Sequence, residues 1–124
     1  MLVDSWAWIE LFKKSPSCHE IERLLRGRKL FASVLSLAEV AHWCSRNFVP
    51  AEEYLKAIKE NATILFVHDE IAGEAGIRLS RLKNISPGFG MIDSIIYTQA
   101  ISTGLPLLTG DPHFKNLPGV EFIQ

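Results

Sequence analysis

The chain has 124 residues, 48% of them apolar and 22% charged, with a formal net charge of -1. That length fits a single domain over residues 1–124, able to bury about two thirds of the surface its unfolded chain exposes, and no stretch approaches the ~18 uninterrupted apolar residues of a membrane span. The near-zero charge excludes a protein that holds nucleic acid by overall attraction, so any such binding depends on local patches or on a metal.

The sequence opens directly on a strand-like Met1-Leu2-Val3-Asp4, without a basic leader or a cleavable apolar segment, so a cytoplasmic setting is expected. Ser5 is placed to cap a helix from Trp6 to about Lys14, broken at Ser15-Pro16-Ser17, and a second helix from about His19 to Arg26 closes at Gly27. Lys29 to Val34 is the next strand. Ser36-Leu37-Ala38-Glu39 has the capping-box form S-x-x-E and opens a helix with an apolar stripe of Leu37, Val40, Ala41, Cys44 and Phe48, from which Glu39 points away. Pro50 suits the first turn of a helix to about Glu60, and Ala62 to Val67 is a third strand.

Asp69 to Lys83 carries a helical spacing of apolar residues, and Asn84 to Gly90 is a Pro/Gly/Ser loop. A helix from about Met91 to Thr103 ends at Gly104, followed by strands at Pro106 to Thr109 and Val120 to Ile123. Strands alternating with helices throughout predict a parallel sheet covered on both faces, a three-layer α/β/α sandwich. Cys18 and Cys44 have no Cys or His grouping around them and read as small packing residues rather than a zinc site or a disulfide framework.

Four acids carry the chemistry. Asp93 shares a helical face with Ile96, Tyr97 and Ala100, where an unpartnered carboxylate is costly. Asp4 and Asp111 each follow an apolar strand, and in open α/β sheets ligands sit outside the carboxyl ends of strands, so these two become neighbours if the first and fourth strands are adjacent. Each acid has a plainer reading: Glu39 as the capping-box partner of Ser36, Asp111 as a cap before Pro112, Asp4 as a cap of the first helix. Gathered together, Asp4, Glu39, Asp93 and Asp111 repel, and a bound cation relieves that repulsion. An all-oxygen donor set selects Mg2+ or Mn2+ over zinc, one or two ions, and points to hydrolysis of phosphodiesters by a metal-activated water.

These residues give the chain its resemblance to PIN-domain proteins, and among them to the small VapC-type toxin ribonucleases. It rests on VDSWAWIELF with Asp4 and Ser5, SVLSLAEVAHW with Glu39, FGMIDSIIYTQA with Asp93, and LPLLTGDPHF with Thr109 and Asp111, and it covers essentially the whole length. The resemblance implies a five-stranded parallel sheet ordered 3-2-1-4-5, metal-dependent endoribonuclease activity, a homodimer, and inhibition by a small antitoxin protein. It also implies Asp4, Glu39 and Asp93 as core metal ligands, Asp111 completing the set, and Ser5 or Thr109 orienting ligands or water. Where many relatives carry a further acid, this chain has His113, which weakens the case for a second ion and reads as a local cap or a phosphate contact.

For an RNA substrate the basic candidates are Arg23, Arg26, Arg28 and Lys29, then Arg78, Arg81 and Lys83, with Lys115 beside the acidic turn. Trp6, Trp8 and Trp43 lie inside helical patterns and are expected in the core or a dimer interface, and His19, His42 and His68 as structural or exposed. Two other functions compete with the nuclease. One is a receiver-like phosphoacceptor domain with Asp69 as the acceptor; the other is a catalytically silent binding module on the same scaffold.

Overall fold

A computed structural model describes residues 1–124. The elements run β1 (Leu2–Val3), α1 (Ser5–Lys13), α2 (Cys18–Leu25), β2 (Phe31–Ser33), α3 (Val34–Arg46), α4 (Ala51–Asn61), β3 (Thr63–Leu65), α5 (Asp69–Ile85), α6 (Met91–Thr103), β4 (Leu107–Thr109) and β5 (Val120–Phe122), with a 3-10 turn at Pro112–Phe114. All five strands are parallel, in the order β3-β2-β1-β4-β5. This is the expected three-layer sandwich, with strand order as the resemblance implied.

The two-residue period of a strand divides the core. Val3 and Leu108 face one layer, where Ala7, Trp8, Ile21, Val40, Cys44 and Ile58 of α1 to α4 pack. Their neighbours Leu2 and Leu107 face the other, against Leu82 of α5 and Ile96, Tyr97 and Ala100 of α6. The register Leu2↔Leu107, Val3↔Leu108 aligns the ends of β1 and β4, so the residues that follow, Asp4 and Thr109 onward, emerge side by side.

Two helix starts differ from the local pattern. Asp4, not Ser5, occupies the N-cap position of α1, in extended conformation and without a side-chain cap bond, and Ser5 is the first helical residue. Helix α3 begins at Val34, capped by Ser33, whose Oγ accepts from the Leu35 backbone N at 3.2 Å. The Ser36–Glu39 capping box therefore does not form. Both side chains lie within the helix and turn toward Ser5, where tertiary hydrogen bonds replace the local ones. Helix α6 matches its expected span, closed by Gly104 at φ 69°, a left-handed conformation that glycine adopts without a Cβ penalty.

Candidate metal-binding active site

The sheet switches direction between β1 and β4, and a cleft opens at the carboxyl ends of the strands there, as expected for an open parallel sheet. Its volume is about 270 Å³, and Asp4, Glu39, Asp93 and Asp111 all line it, with Ser5. The four acids come from four places: the exit of β1, the second turn of α3, the first turn of α6 and the exit of β4. The structure thus brings the four acids of the sequence expectation to one cleft.

Each carboxylate is held by a neighbour. Thr109 Oγ1 donates to Asp4 Oδ2 at 2.8 Å and accepts from the Asp111 backbone N at 3.1 Å, so one buried hydroxyl links the exits of β1 and β4. Ser5 Oγ lies 2.6 Å from Glu39 Oε1 and 2.8 Å from Ser36 Oγ. Its single proton goes to the carboxylate, which accepts the shorter, charge-assisted bond, and the Ser36 hydroxyl then donates to Ser5 Oγ. The Gly90 backbone N donates to Asp93 Oδ2 at 3.4 Å, a long bond that completes the helix cap from the acid's side. Asp111 Oδ1 accepts from the His113 backbone N at 3.0 Å and lies 2.8 Å from His113 Nδ1, so Asp111 also caps the 3-10 turn, as its plainer reading had it.

Burial and mutual repulsion set the electrostatics. Asp4 is 3% exposed; burial pushes its carboxyl up to about 7, opposed by the Thr109 hydrogen bond and reinforced by Asp93 and Glu39. Burial also lifts Asp93 to about 6, and the Asp111 and Glu39 charges add to it. No lysine or arginine is paired with any of the four acids. The cleft thus concentrates negative charge without a lysine or arginine ion-paired to any of its four acids.

Asp93, Asp111 and His113 bring one donor atom each within 4.8 Å of one another. The imidazole is better understood as holding Asp111 than as a ligand. Its Nδ1 proton is taken by Asp111 Oδ1, a tautomer assigned from this hydrogen-bond network, and a Cβ built on Gly88 would stand 2.7 Å from its Nε2, so that nitrogen faces the loop before α6.

Sequence reasoning missed the other wall. Trp6 and Ile9 of α1 and His42, Trp43 and Arg46 of α3 line the cleft with the acids. Trp8 is buried in the core as expected, and Trp6 and Trp43, partly buried, pack against the same cluster while also lining the cleft. The signal was present: Glu39, His42, Trp43 and Arg46 follow the spacing i, i+3, i+4, i+7 that puts residues on one helix face. The basic candidates named from sequence lie elsewhere. Arg23 pairs with Glu20, Arg28 with Glu121 and Arg78 with Glu74 and Thr98, while Arg26 lines a separate apolar groove with Trp8 and Phe12. Asp69 begins α5 after the edge strand β3, and it does not line the cleft.

No curated protein matches the chain. Among solved structures it is similar to a toxin–antitoxin complex from Klebsiella pneumoniae, at TM-score 0.77 and 21% identity over 97% of this chain and 94% of that one. It is similar to DNA-bound VapBC from Salmonella typhimurium at TM-score 0.72 and 22% identity over 98% and 95% of the two chains. The VapC20 toxin of Mycobacterium tuberculosis, which cleaves the sarcin–ricin loop, matches at TM-score 0.72 and 17% identity over 85% and 84%. At these identities the likeness is one of fold. No helix is long and apolar enough to cross a membrane. The PIN domain family model matches residues 1–120, and with the sheet order and the cleft at its switch point, the chain belongs to the PIN domain family.

Proposed function

We propose that this chain is a divalent-metal-dependent endoribonuclease, the toxin of a type II toxin–antitoxin pair acting on cytoplasmic RNA. The observation that carries the proposal is the meeting of Asp4, Glu39, Asp93 and Asp111 in one cleft with no lysine or arginine paired to them. The donor set fits a hard cation: all four are carboxylates, no thiol lines the cleft, and the imidazole beside Asp111 is already engaged. Asp4, Glu39, Asp93 and Asp111 are the residues that would hold Mg2+ or Mn2+. When bound, the ion supplies neutralisation of the acids and of the scissile phosphate, and acidification of a water for in-line attack.

The chain's own residues fix the donors in advance. Ser5 aims Glu39, Thr109 aims Asp4 and braces the backbone that carries Asp111, and His113 aims Asp111. Such outer hydrogen bonds orient ligands and restrict their rotation, and losing one typically costs about 10- to 100-fold in metal affinity or activity. The hydrolysis leaves one strand with a phosphate and the other with a hydroxyl, so no redox or group-carrier cofactor is needed. The toxin–antitoxin complexes among the similar folds support a small antitoxin as partner. Exposed Ile77, Ile85, Met91, Ile92 and Ile101 on α5 and α6 support a homodimer, since a second copy would cover such apolar surface.

Incubation of the purified protein with a structured RNA tests the reading. Cleavage with Mg2+ or Mn2+ and its loss on chelation are expected, whereas an RNA left intact with either metal by protein freed of its antitoxin overturns it.

A further inference from the structure

The acidic cleft continues along α3 beyond Glu39, and this extension is unlike the rest of the surface. Trp43 and Arg46 stand one and two turns past Glu39 on the same face, which places the Arg46 backbone ~10 Å along the helix axis from that of Glu39. Opposite them, Trp6 reaches over from α1. A Cβ built on Gly110 would meet the six-membered ring of Trp6 at 2.4 to 2.7 Å, so the indole lies directly on the backbone between Thr109 and Asp111.

Both indoles pack against the core, and each also lines the cleft. Both are partly exposed; Trp43 pairs edge-on with Tyr54 alone, at 6.1 Å and 87°, and Trp6 has no aromatic partner. Arg46 is exposed and forms no salt bridge. A cleft with carboxylates at one end, two indoles along its wall and a free guanidinium at the other end has the alternation of a nucleic-acid strand: a phosphate, a base, the next phosphate. Unpaired bases stack on tryptophan regardless of identity, while duplex bases are already stacked and inaccessible.

Resting on the ribonuclease reading, we propose that Trp6 and Trp43 form a stacking subsite for an unpaired nucleobase beside the scissile phosphate, and that Arg46 holds the neighbouring phosphate.

Binding is separable from cleavage in the full-length Asp93→Asn variant, read by tryptophan fluorescence and by competition. The probes are single-stranded RNA hexamers, oligo(A) and oligo(U), and an abasic ribose-phosphate hexamer of equal charge. The two base-bearing hexamers should bind more tightly than the abasic one. Trp43→Ala and Trp6→Ala should each weaken them about 5- to 100-fold and leave the abasic hexamer unchanged. Phenylalanine at either position, which preserves packing, should restore most of the loss. Arg46→Gln should weaken all three hexamers alike and flatten the salt dependence by about one phosphate contact.

Equal binding of base-bearing and abasic hexamers, losses in the tryptophan variants that extend to the abasic probe, or no hexamer binding at all overturns the subsite. The ribonuclease reading is judged separately, by cleavage of a long RNA with the unsubstituted protein. Cleavage without base-dependent binding removes the subsite alone, and base-dependent binding without cleavage removes the nuclease alone.

Discussion

The hydroxyl of Thr109 donates to Asp4 Oδ2 at 2.8 Å from a fully buried position at the end of β4. It is the only hydrogen-bond donor among the causes that hold the Asp4 carboxyl down against burial, apart from the Ser5 backbone. Thr109→Val keeps the shape and removes the donor, so Asp4 should rise above about 7 and the acid limb of the cleavage profile should move to higher pH. The unpaired carboxylate and the loss of the Asp111 backbone bond should cost about 1–3 kcal/mol of stability. Thr109→Ser should recover the pH profile. A Val variant with an unmoved acid limb would mean that the hydroxyl only packs.

Asp93 is the acid whose cost to the fold is plainest and whose replacement is most informative. It sits above Ile96, Tyr97 and Ala100, which are buried, and its carboxyl is displaced up to about 6. Asp93→Asn removes a charge the fold disfavours while keeping the bond from Gly90, so the melting temperature near neutral pH should hold or rise. RNA cleavage should fall at least about 100-fold, the scale of losing one preorganised electrostatic group. A large loss of both stability and activity would instead make Asp93 a structural residue.

The pH dependence of stability follows from the same displacements. Asp4 moves from 3.8 to about 7 and Asp93 from 3.8 to about 6, both upward, chiefly through burial. Between the ordinary and displaced values the folded protein keeps protons that the unfolded chain has released. Their contribution to stability is therefore complete below about pH 4 and is lost as pH rises through about 6 and then about 7. One decade of displacement corresponds to about 1.4 kcal/mol, and the partly exposed Asp93 contributes less than Asp4 because solvent screens it. Urea unfolding in chelator should show the metal-free protein less stable at about pH 8 than at about pH 5. Millimolar Mg2+ or Mn2+ should restore stability at the higher pH and do little at the lower one. Stability that climbs steadily toward pH 8 without metal would contradict the assignment.

The parts of this molecule that the sequence makes legible are those fixed by short-range patterns. Helix α6 lies between Gly90 and Gly104, which punctuate it, and Asp4 and Asp111 end apolar strands that the strand order implied by the resemblance makes neighbours. What was hidden depends on contacts between distant segments. Ser36 and Glu39 fit a local capping box, yet Ser33 caps the helix and both side chains go to Ser5. That Trp6 and Trp43 also line the cleft was hidden for the same reason. An indole within a helical apolar pattern is indistinguishable from a core residue until the facing element is known, and Trp6 faces Gly110 from the far end of the chain. Arg46 stands outside the basic clusters of the sequence, and most of the clustered arginines are spent on ion pairs.

That contact gives the last prediction. Gly110 joins Thr109 to Asp111, and any Cβ there would stand 2.4 Å from Cη2 of Trp6, closer than real side chains approach. The indole is bulky and packed, so Gly110→Ala must displace either the ring or the turn that carries Asp111. The expected cost is about 1–3 kcal/mol, the usual range for overpacking. Cleavage should fall as well, because the Asp111 backbone bond to Thr109 depends on that turn. Trimming the ring by Trp6→Leu should relieve the clash, so the double variant should be more stable than the sum of the single effects by at least about 0.5 kcal/mol. Denaturant unfolding of the four proteins measures the coupling. Strictly additive losses would place the ring away from Gly110 in solution.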